Sequence, residues 1–414
     1  MSENQMEEAA ELILKESIQP IAIDYSKIRS SKKQEIVSGS RKRRLHRTRL
    51  FKNARMIFRL YQTPRKVLKV LNMIRLRRNG LAEEKNVFKL VSISNRHFRR
   101  INFPAWESPL FELFLQSELN RLEPHGSPTH RLTLAYLAIT KKCPLKCEHC
   151  FEWDNLNQKE KISSSDIDTM IENLQSIGTT NIAFTGGEPM LRVQELINAI
   201  RKYKSKSAFW ILTSGFNFTA QNATELKAAG LSGLVVSLDH CDPYQHDLFR
   251  RTEGSFRDAL YAIKYGIEND FVTVISTCIT RSTATREHLD QFMSFAKDLG
   301  VGFVQFLEPK AVGHYANKDV LLKPEQLELL EEVFLSYNQD PAFKEFPIIV
   351  YHGYYQRRVG CFASGNRMVY VDTNGDFLSC PFCHKKTGSI LHENFEASLD
   401  EMNMASCAAF GSFD

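Results

Sequence analysis

Six short apolar runs recur through the middle of this chain: Leu132–Ile139, Asn181–Thr185, Phe209–Thr213, Gly233–Leu238, Val272–Ile279 and Gly302–Leu307. Segments of helical period with polar starts stand between them, such as Ser164-Ser165-Asp166 before Ile167 and Thr219 before a helix ending near Gly230. Apolar runs alternating with helices every roughly 30 residues require crossover connections, and hence a parallel sheet. In complete β/α barrels the chemistry gathers at the C-terminal strand ends. Four polar motifs fall there: the cysteines after Ile139, Gly186-Gly187-Glu188-Pro189, Thr213-Ser214-Gly215 and Ser237-Leu238-Asp239.

The first motif is C-P-L-K-C-E-H-C, with Cys143, Cys147 and Cys150. Three thiolates spaced CxxxCxxC can bind three corners of a cubic four-iron cluster and leave the fourth iron without a protein ligand. An open position is what separates a catalytic metal site from a closed structural one. A zinc ion on these three residues would need a fourth ligand. The chain has nine cysteines, clustered at 143–150 and 361–407 with Cys241 and Cys278 apart. That distribution favours metal ligation in a reducing cytoplasm over a disulfide framework. Cys278 lies in an apolar run and reads as core. Cys241, at a strand's mouth, is a candidate substrate contact.

Hydrophobic residues at 43% and charged residues at 25% of 414 describe an ordinary globular chain. No stretch has the roughly 18 unbroken apolar residues of a membrane span. The acidic start, Met1 to Glu8, lacks the apolar core of a secretory signal. The net charge of +6 conceals an asymmetry: Lys27 to Arg78 holds nineteen Lys/Arg against one acid, Glu35. Residues 1–25 read as a short acidic amphipathic segment and 26–49 as a basic linker or arm. From Leu50 to Arg78, apolar residues at helical intervals (Phe51, Ile57, Phe58, Tyr61, Val67, Leu68, Leu71, Ile74) predict two helices broken at Pro64.

These motifs resemble the radical S-adenosylmethionine (SAM) superfamily over residues 131–310. The triplet matches its CxxxCxxC signature, with His149 where the superfamily often has an aromatic residue. The resemblance implies a six-stranded partial β/α barrel of TIM type around a [4Fe–4S] cluster, with SAM on the open iron. It assigns Gly186, Gly187 and Glu188 to the SAM amino group, and Ser214 to the ribose. Ser237 and Asp239 fall beside the methionine end, with Arg250 or Arg251 as the partner of its carboxylate. The implied chemistry is reductive cleavage of SAM and hydrogen abstraction by a 5′-deoxyadenosyl radical, with the electron coming from a flavodoxin- or ferredoxin-type donor.

Cys361 is followed by Gly375 and then Cys380 in a spacing that resembles the opening of the SPASM and twitch extensions. The resemblance implies one auxiliary iron–sulfur cluster on Cys361, Cys380, Cys383 and Cys407. Alternatives are a structural zinc on the same residues, or His384 in place of Cys407. Thr373-Asn374-Gly375 between apolar runs is a hairpin signal. A full SPASM domain needs more cysteines than the chain has left, so the extension is truncated.

The expected architecture is therefore α/β. A basic helical extension spans 1–80, a connecting helical region 81–130, the partial (β/α)6 barrel 131–320, and a small cysteine-rich hairpin and helix domain 321–414. The expected function is a radical SAM oxidoreductase or maturase acting on a peptide, protein or small molecule. The runners-up are the same chemistry on an envelope lipid and a non-catalytic zinc or iron–sulfur protein. Residues 27–78 could bind an anionic membrane surface, which would make a cytoplasmic protein peripheral to the inner face; no nucleic-acid motif accompanies them.

Overall fold

The computed structural model describes residues 18, 23–80, 89–126, 132–405, 407 and 409–410. The acidic segment expected over 1–25 lies almost entirely outside them. The first strands in chain order are β1 (Glu35–Val37), β2 (Leu90–Ile93), β3 (Arg96–Phe98), β4 (Leu134–Ala138) and β5 (Asn181–Thr185). Next come β6 (Ala208–Thr213), β7 (Gly233–Ser237), β8 (Val272–Cys278) and β9 (Phe303–Leu307). The last are β10 (Ile348–Tyr351), β11 (Met368–Val371), β12 (Asp376–Cys380) and β13 (Cys383–Ser389).

The six apolar runs are β4 to β9, paired parallel in chain order. Their sheet is an open arc of ten strands ordered β10-β9-β8-β7-β6-β5-β4-β11-β12-β13. The C-terminal region is thus not a separate unit beginning at 321. β10 adds parallel to β9 at one edge, and β11 adds parallel to β4 at the other. β12 and β13 then extend that edge antiparallel. The turn between β11 and β12 follows its sequence signal. Asp372 Oδ1 accepts from Asn374 N and Asp376 N, and Gly375 takes φ 81°.

Alternation along the strands divides two cores. Ile182, Phe184, Phe209, Ile211, Leu234 and Val236 face the surrounding helices, meeting residues such as Leu174, Ile200, Ile263 and Phe292. Ala183, Trp210, Val235 and Val274 face the other way and meet Val91, Ile93 and Phe98. Those helices begin and end where their caps stand. Ser163 and Asp166 form a reciprocal capping box, and Thr219 caps a helix that stops at left-handed Gly230.

The segment before the barrel departs from the helical extension and connector expected of it. β1, β2 and β3 form an antiparallel sheet that packs on the inner face of the arc. Gln34 stitches this plug to the start of β8 and to the turn before β9. Its Nε2 donates to Phe271 O at 2.5 Å, and its Oε1 accepts from Gly302 N at 2.9 Å and Thr273 N at 3.3 Å. The basic helices form as expected, over Gly39–Tyr61 and Pro64–Gly80, with Pro64 opening the second. The first starts inside the stretch expected to be linker.

Gln34→Leu keeps most of the volume and strands three buried backbone groups. An unsatisfied buried group costs about 1–3 kcal/mol, so the variant should melt measurably below the unmodified protein. An unshifted thermal transition would show that the plug does not support the barrel.

Candidate functional site

The chain leaves β4 and turns through a loop that carries Cys143, Cys147 and Cys150 across the C-terminal end of the sheet. Asn157, held at φ 60°, folds the loop on itself: its Oδ1 accepts from Cys143 N and its Nδ2 donates to Cys143 O, both at 3.0 Å. Glu160 ties the loop's root by accepting from Thr140 Oγ1 at 3.0 Å and Lys141 N at 2.5 Å. A turn after β9 clamps the far side, where His314 N donates to Cys150 O at 2.9 Å. The His314 ring nitrogen Nδ1 also lies 3.0 Å from Cys147 O.

Beside this loop runs the exit of β5. Gly187 N donates to Thr140 O and Glu188 N to Lys142 O, both at 2.7 Å. A side chain at Gly186 or Gly187 would strike the carbonyls of Thr140 or Lys142, and Gly186 has φ 124°. The glycines therefore allow the close approach of one backbone to another. Glu188 is fully buried and accepts four hydrogen bonds: Met190 N at 3.0 Å, Thr213 Oγ1 at 2.7 Å, Ser214 N at 2.8 Å and Ser214 Oγ at 2.6 Å. A carboxylate has about four lone-pair sites, so Glu188 as arranged joins the ends of β5 and β6 with both oxygens filled. Burial raises its carboxyl against the pull of those donors.

Asp239, just past β7, is buried against Arg250. Its Oδ2 accepts from Arg250 Nε at 2.6 Å, and its Oδ1 accepts from Cys278 N at 2.9 Å. The same guanidinium donates from an Nη to Cys147 Sγ at 3.5 Å. Arg250 is thus committed within the protein, whereas Arg251 caps its helix at φ 51° with a half-buried side chain. His149 stacks on Phe249, ring centroids 4.7 Å apart. Burial pushes it down to about 4, so it is neutral at pH 7, and its Nδ1 is buried without a partner among the described residues. Ser237 closes β7, half-buried. Cys278 is core, as expected.

A second group of sulfurs lies at the C-terminal edge of the sheet. Cys380 and Cys383 face each other directly across the β12–β13 turn. The Cys361 thiol is hydrogen-bonded to that of Cys407 and accepts from Gln356 Nε2 at 3.4 Å. Burial, and then the other three sulfurs, push Cys380 up to about 11. His384 is exposed, so the structure gathers Cys407 and not His384 into this set. Phe382 at the hairpin tip meets Phe151 edge-on, next to Cys150, with centroids 6.0 Å apart. Tyr351 and Tyr354 are core.

Residues 137–296 match the family model described as the Radical SAM superfamily. This segment is a radical SAM domain. It is 30% identical over 177 residues to the AdoMet-dependent heme synthase of Nitratidesulfovibrio vulgaris, covering 42% of this chain and 45% of that protein. It is 24% identical over 284 residues to the GTP 3′,8-cyclase of Aquifex aeolicus, 64% of this chain and 87% of that enzyme. The chain spans less than half the length of the heme synthases it matches. In fold it resembles SuiB of Streptococcus suis bound to S-adenosylmethionine, with a TM-score of 0.53 and 16% identity over 70% of each chain. It also resembles anSMEcpe with bound AdoMet, with a TM-score of 0.54 and 19% identity over 67% of this chain and 83% of that one.

The residues fit what this radical SAM domain implies. Cys147 and Cys150 both act electrostatically on the Cys143 thiol, so the three sulfurs share one site. Among the described residues no three His, Cys, Asp or Glu side chains close on a single ion. Thiolates that each bind a different iron of a cluster stand farther apart than the ligands of one ion. Nδ1 of His149 is a buried polar atom beside them without a partner among the described residues.

Removing one partner from a buried ion pair costs about 3–5 kcal/mol, because the other charge is left bare. Asp239→Ala should therefore lower the melting temperature sharply. Asp239→Ala combined with Arg250→Met should recover much of the loss. Equal melting of the single and double variants would show the pair to be uncoupled.

Proposed function

We propose that the protein is a radical SAM enzyme that holds a [4Fe–4S] cluster on Cys143, Cys147 and Cys150 and binds SAM against it. The observation that carries this reading is the cysteine loop bonded along its root to Gly187 and Glu188, within the region that matches the superfamily. When bound, the cluster and SAM supply one-electron reductive cleavage and a 5′-deoxyadenosyl radical for hydrogen abstraction. The electron comes from a flavodoxin- or ferredoxin-type donor.

The chain's own residues hold and exclude. Asn157, Glu160 and His314 fix the cysteine loop by its backbone. Glu188 fixes the ends of β5 and β6 against each other and so places Ser214. With Arg250 spent on Asp239 and Cys147, Arg251 is the guanidinium left for the SAM carboxylate, a pairing suited to a bidentate fork. Neutral His149 has Nδ1 as an acceptor or donor for SAM, and Ser237 lines the same strand end. Cys361, Cys380, Cys383 and Cys407 hold an auxiliary cluster.

Anaerobic reconstitution should give about eight irons per chain, four in each cluster. Replacing Cys143, Cys147 and Cys150 together by Ala should leave about four and end formation of 5′-deoxyadenosine from SAM. Cleavage that survives the triple change would overturn the catalytic assignment, and zinc in place of the second four irons would overturn the auxiliary cluster alone.

Arg250 should also set the potential of the first cluster, since hydrogen bonds to cluster sulfurs tune it and donated bonds stabilise the more negative, reduced state. The paired change Arg250→Gln with Asp239→Asn removes the charge while keeping a polar pair. It should lower the midpoint by tens of millivolts in an EPR-monitored titration, where about 60 mV is a tenfold change for one electron. An unchanged midpoint would leave Arg250 as an anchor for Asp239 only.

A further inference from the structure

The eight apolar residues that mark the basic helices in the sequence divide between two faces. Ile57, Tyr61, Val67 and Ile74 turn inward with Met56 and Val70 and pack around Leu119 of the helix Pro109–Leu122. Phe51, Phe58, Leu68 and Leu71 turn outward, at 80%, 59%, 67% and 39% exposure, joined by Leu50 and Leu76. Most of the large hydrophobic side chains exposed anywhere in the described residues sit on these two helices. Singly exposed leucines need no explanation, but a set concentrated on one helical pair does.

The pair is not a loose arm. Arg49 is buried, donates to Trp106 O and lies over the Phe111 ring, 4.2 Å from its centroid. Tyr61 Oη shares its one hydrogen between Leu119 O at 2.8 Å and Glu123 O at 2.7 Å, and Lys69 pairs with Glu123 at 2.6 Å. The inward face is therefore fixed to the body, and the outward face is presented by rigid helices. At 1.5 Å per residue, the 23- and 17-residue helices are about 34 and 25 Å long.

Cations surround the outward apolar residues. Arg47, Lys52, Arg55, Arg59, Arg65 and Lys66 are exposed, and none forms an ion pair among the described residues. We propose that this helical pair docks the protein on an anionic lipid bilayer, with Phe51, Phe58 and Leu68 entering the boundary between headgroups and acyl chains. That is how an amphipathic basic helix lies on a membrane, apolar face down and lysines and arginines at the phosphates. The other occupants fit less well. A second copy would set these cations against their own kind, and a nucleic acid would neutralise them while needing no leucines. The surface is independent of the SAM chemistry, since the residues of both cysteine sites lie on other elements.

The test uses the full chain with vesicles of phosphatidylcholine alone or with about 30% phosphatidylglycerol, which gives the surface a negative potential. The expected result is sedimentation with the anionic vesicles at an affinity at least about tenfold above that for neutral ones, falling with salt. Phe51→Trp should shift its emission to the blue on anionic vesicles only. Phe51→Ser with Phe58→Ser, exposed positions that leave the fold intact, should weaken binding about tenfold with an unchanged melting curve; Arg55→Glu with Arg59→Glu should do the same. No binding to anionic vesicles overturns the proposal. So does binding indifferent to the phenylalanines, a salt-sensitive RNA shift without vesicle binding, or a dimer that Phe51→Ser dissolves in the absence of lipid.

Discussion

Two backbone hydrogen bonds, Gly187 N to Thr140 O and Glu188 N to Lys142 O, decide how the cysteine-bearing end of this protein is put together. They continue the pairing of β4 and β5 past the last regular residue of either strand. The continuation is possible only because no side chain stands at 186 or 187. It holds the root of the cysteine loop against the exit of β5, so that Glu188 and Cys143 are placed by one another. Glu188 then passes the constraint to β6 through Thr213 and Ser214. On the far side, Asp239 and Arg250 tie β7, β8 and the loop at Cys147. One set of polar contacts joins the ends of β4, β5 and β6, another joins β7, β8 and the cysteine loop, and the loop cannot move without breaking some of them.

The opposite end of the arc is built on another principle. It is closed by apolar packing of β2 and β3 against Trp210, Val235 and Val274, with Gln34 satisfying the backbone groups that packing would otherwise strand. An open sheet needs such a plug, since its inner face would otherwise present its apolar residues to water. The arrangement leaves polar chemistry at one end and apolar closure at the other, as parallel β/α architecture favours.

How much of this the sequence could show follows from the range of each interaction. β4 to β9 were legible because buried parallel strands are apolar on both faces and their caps are local: Ser163 with Asp166, Thr219 with Asn222. The cysteine triplet, the glycines and the β11–β12 turn were legible for the same reason. β1 and β3 were not, because three residues such as Glu35-Ile36-Val37 or Arg96-His97-Phe98 carry no period. The pairing of β11 with β4 joins residues more than two hundred positions apart, so the C-terminal segment read as a separate unit. Glu188 and Arg250 read as ligand contacts by their charge, and their partners inside the fold come from distant segments that no local pattern shows.

The basic helices show the same limit in reverse. Their periodicity gave the helices and the break at Pro64, yet periodicity counts apolar residues without saying which face is covered. Only the packing of Ile57, Tyr61 and Val67 on Leu119 separates a structural face from an outward one. Arg49 makes the point most sharply. It belongs by sequence to the basic run, but its guanidinium is buried over Phe111, so it fastens the helix and adds nothing to the outward field. A charge run that spends one of its own members on anchoring, while leaving phenylalanines bare beside the rest, is doing two jobs with one helix. The anchoring face fixes the orientation in which the other is shown.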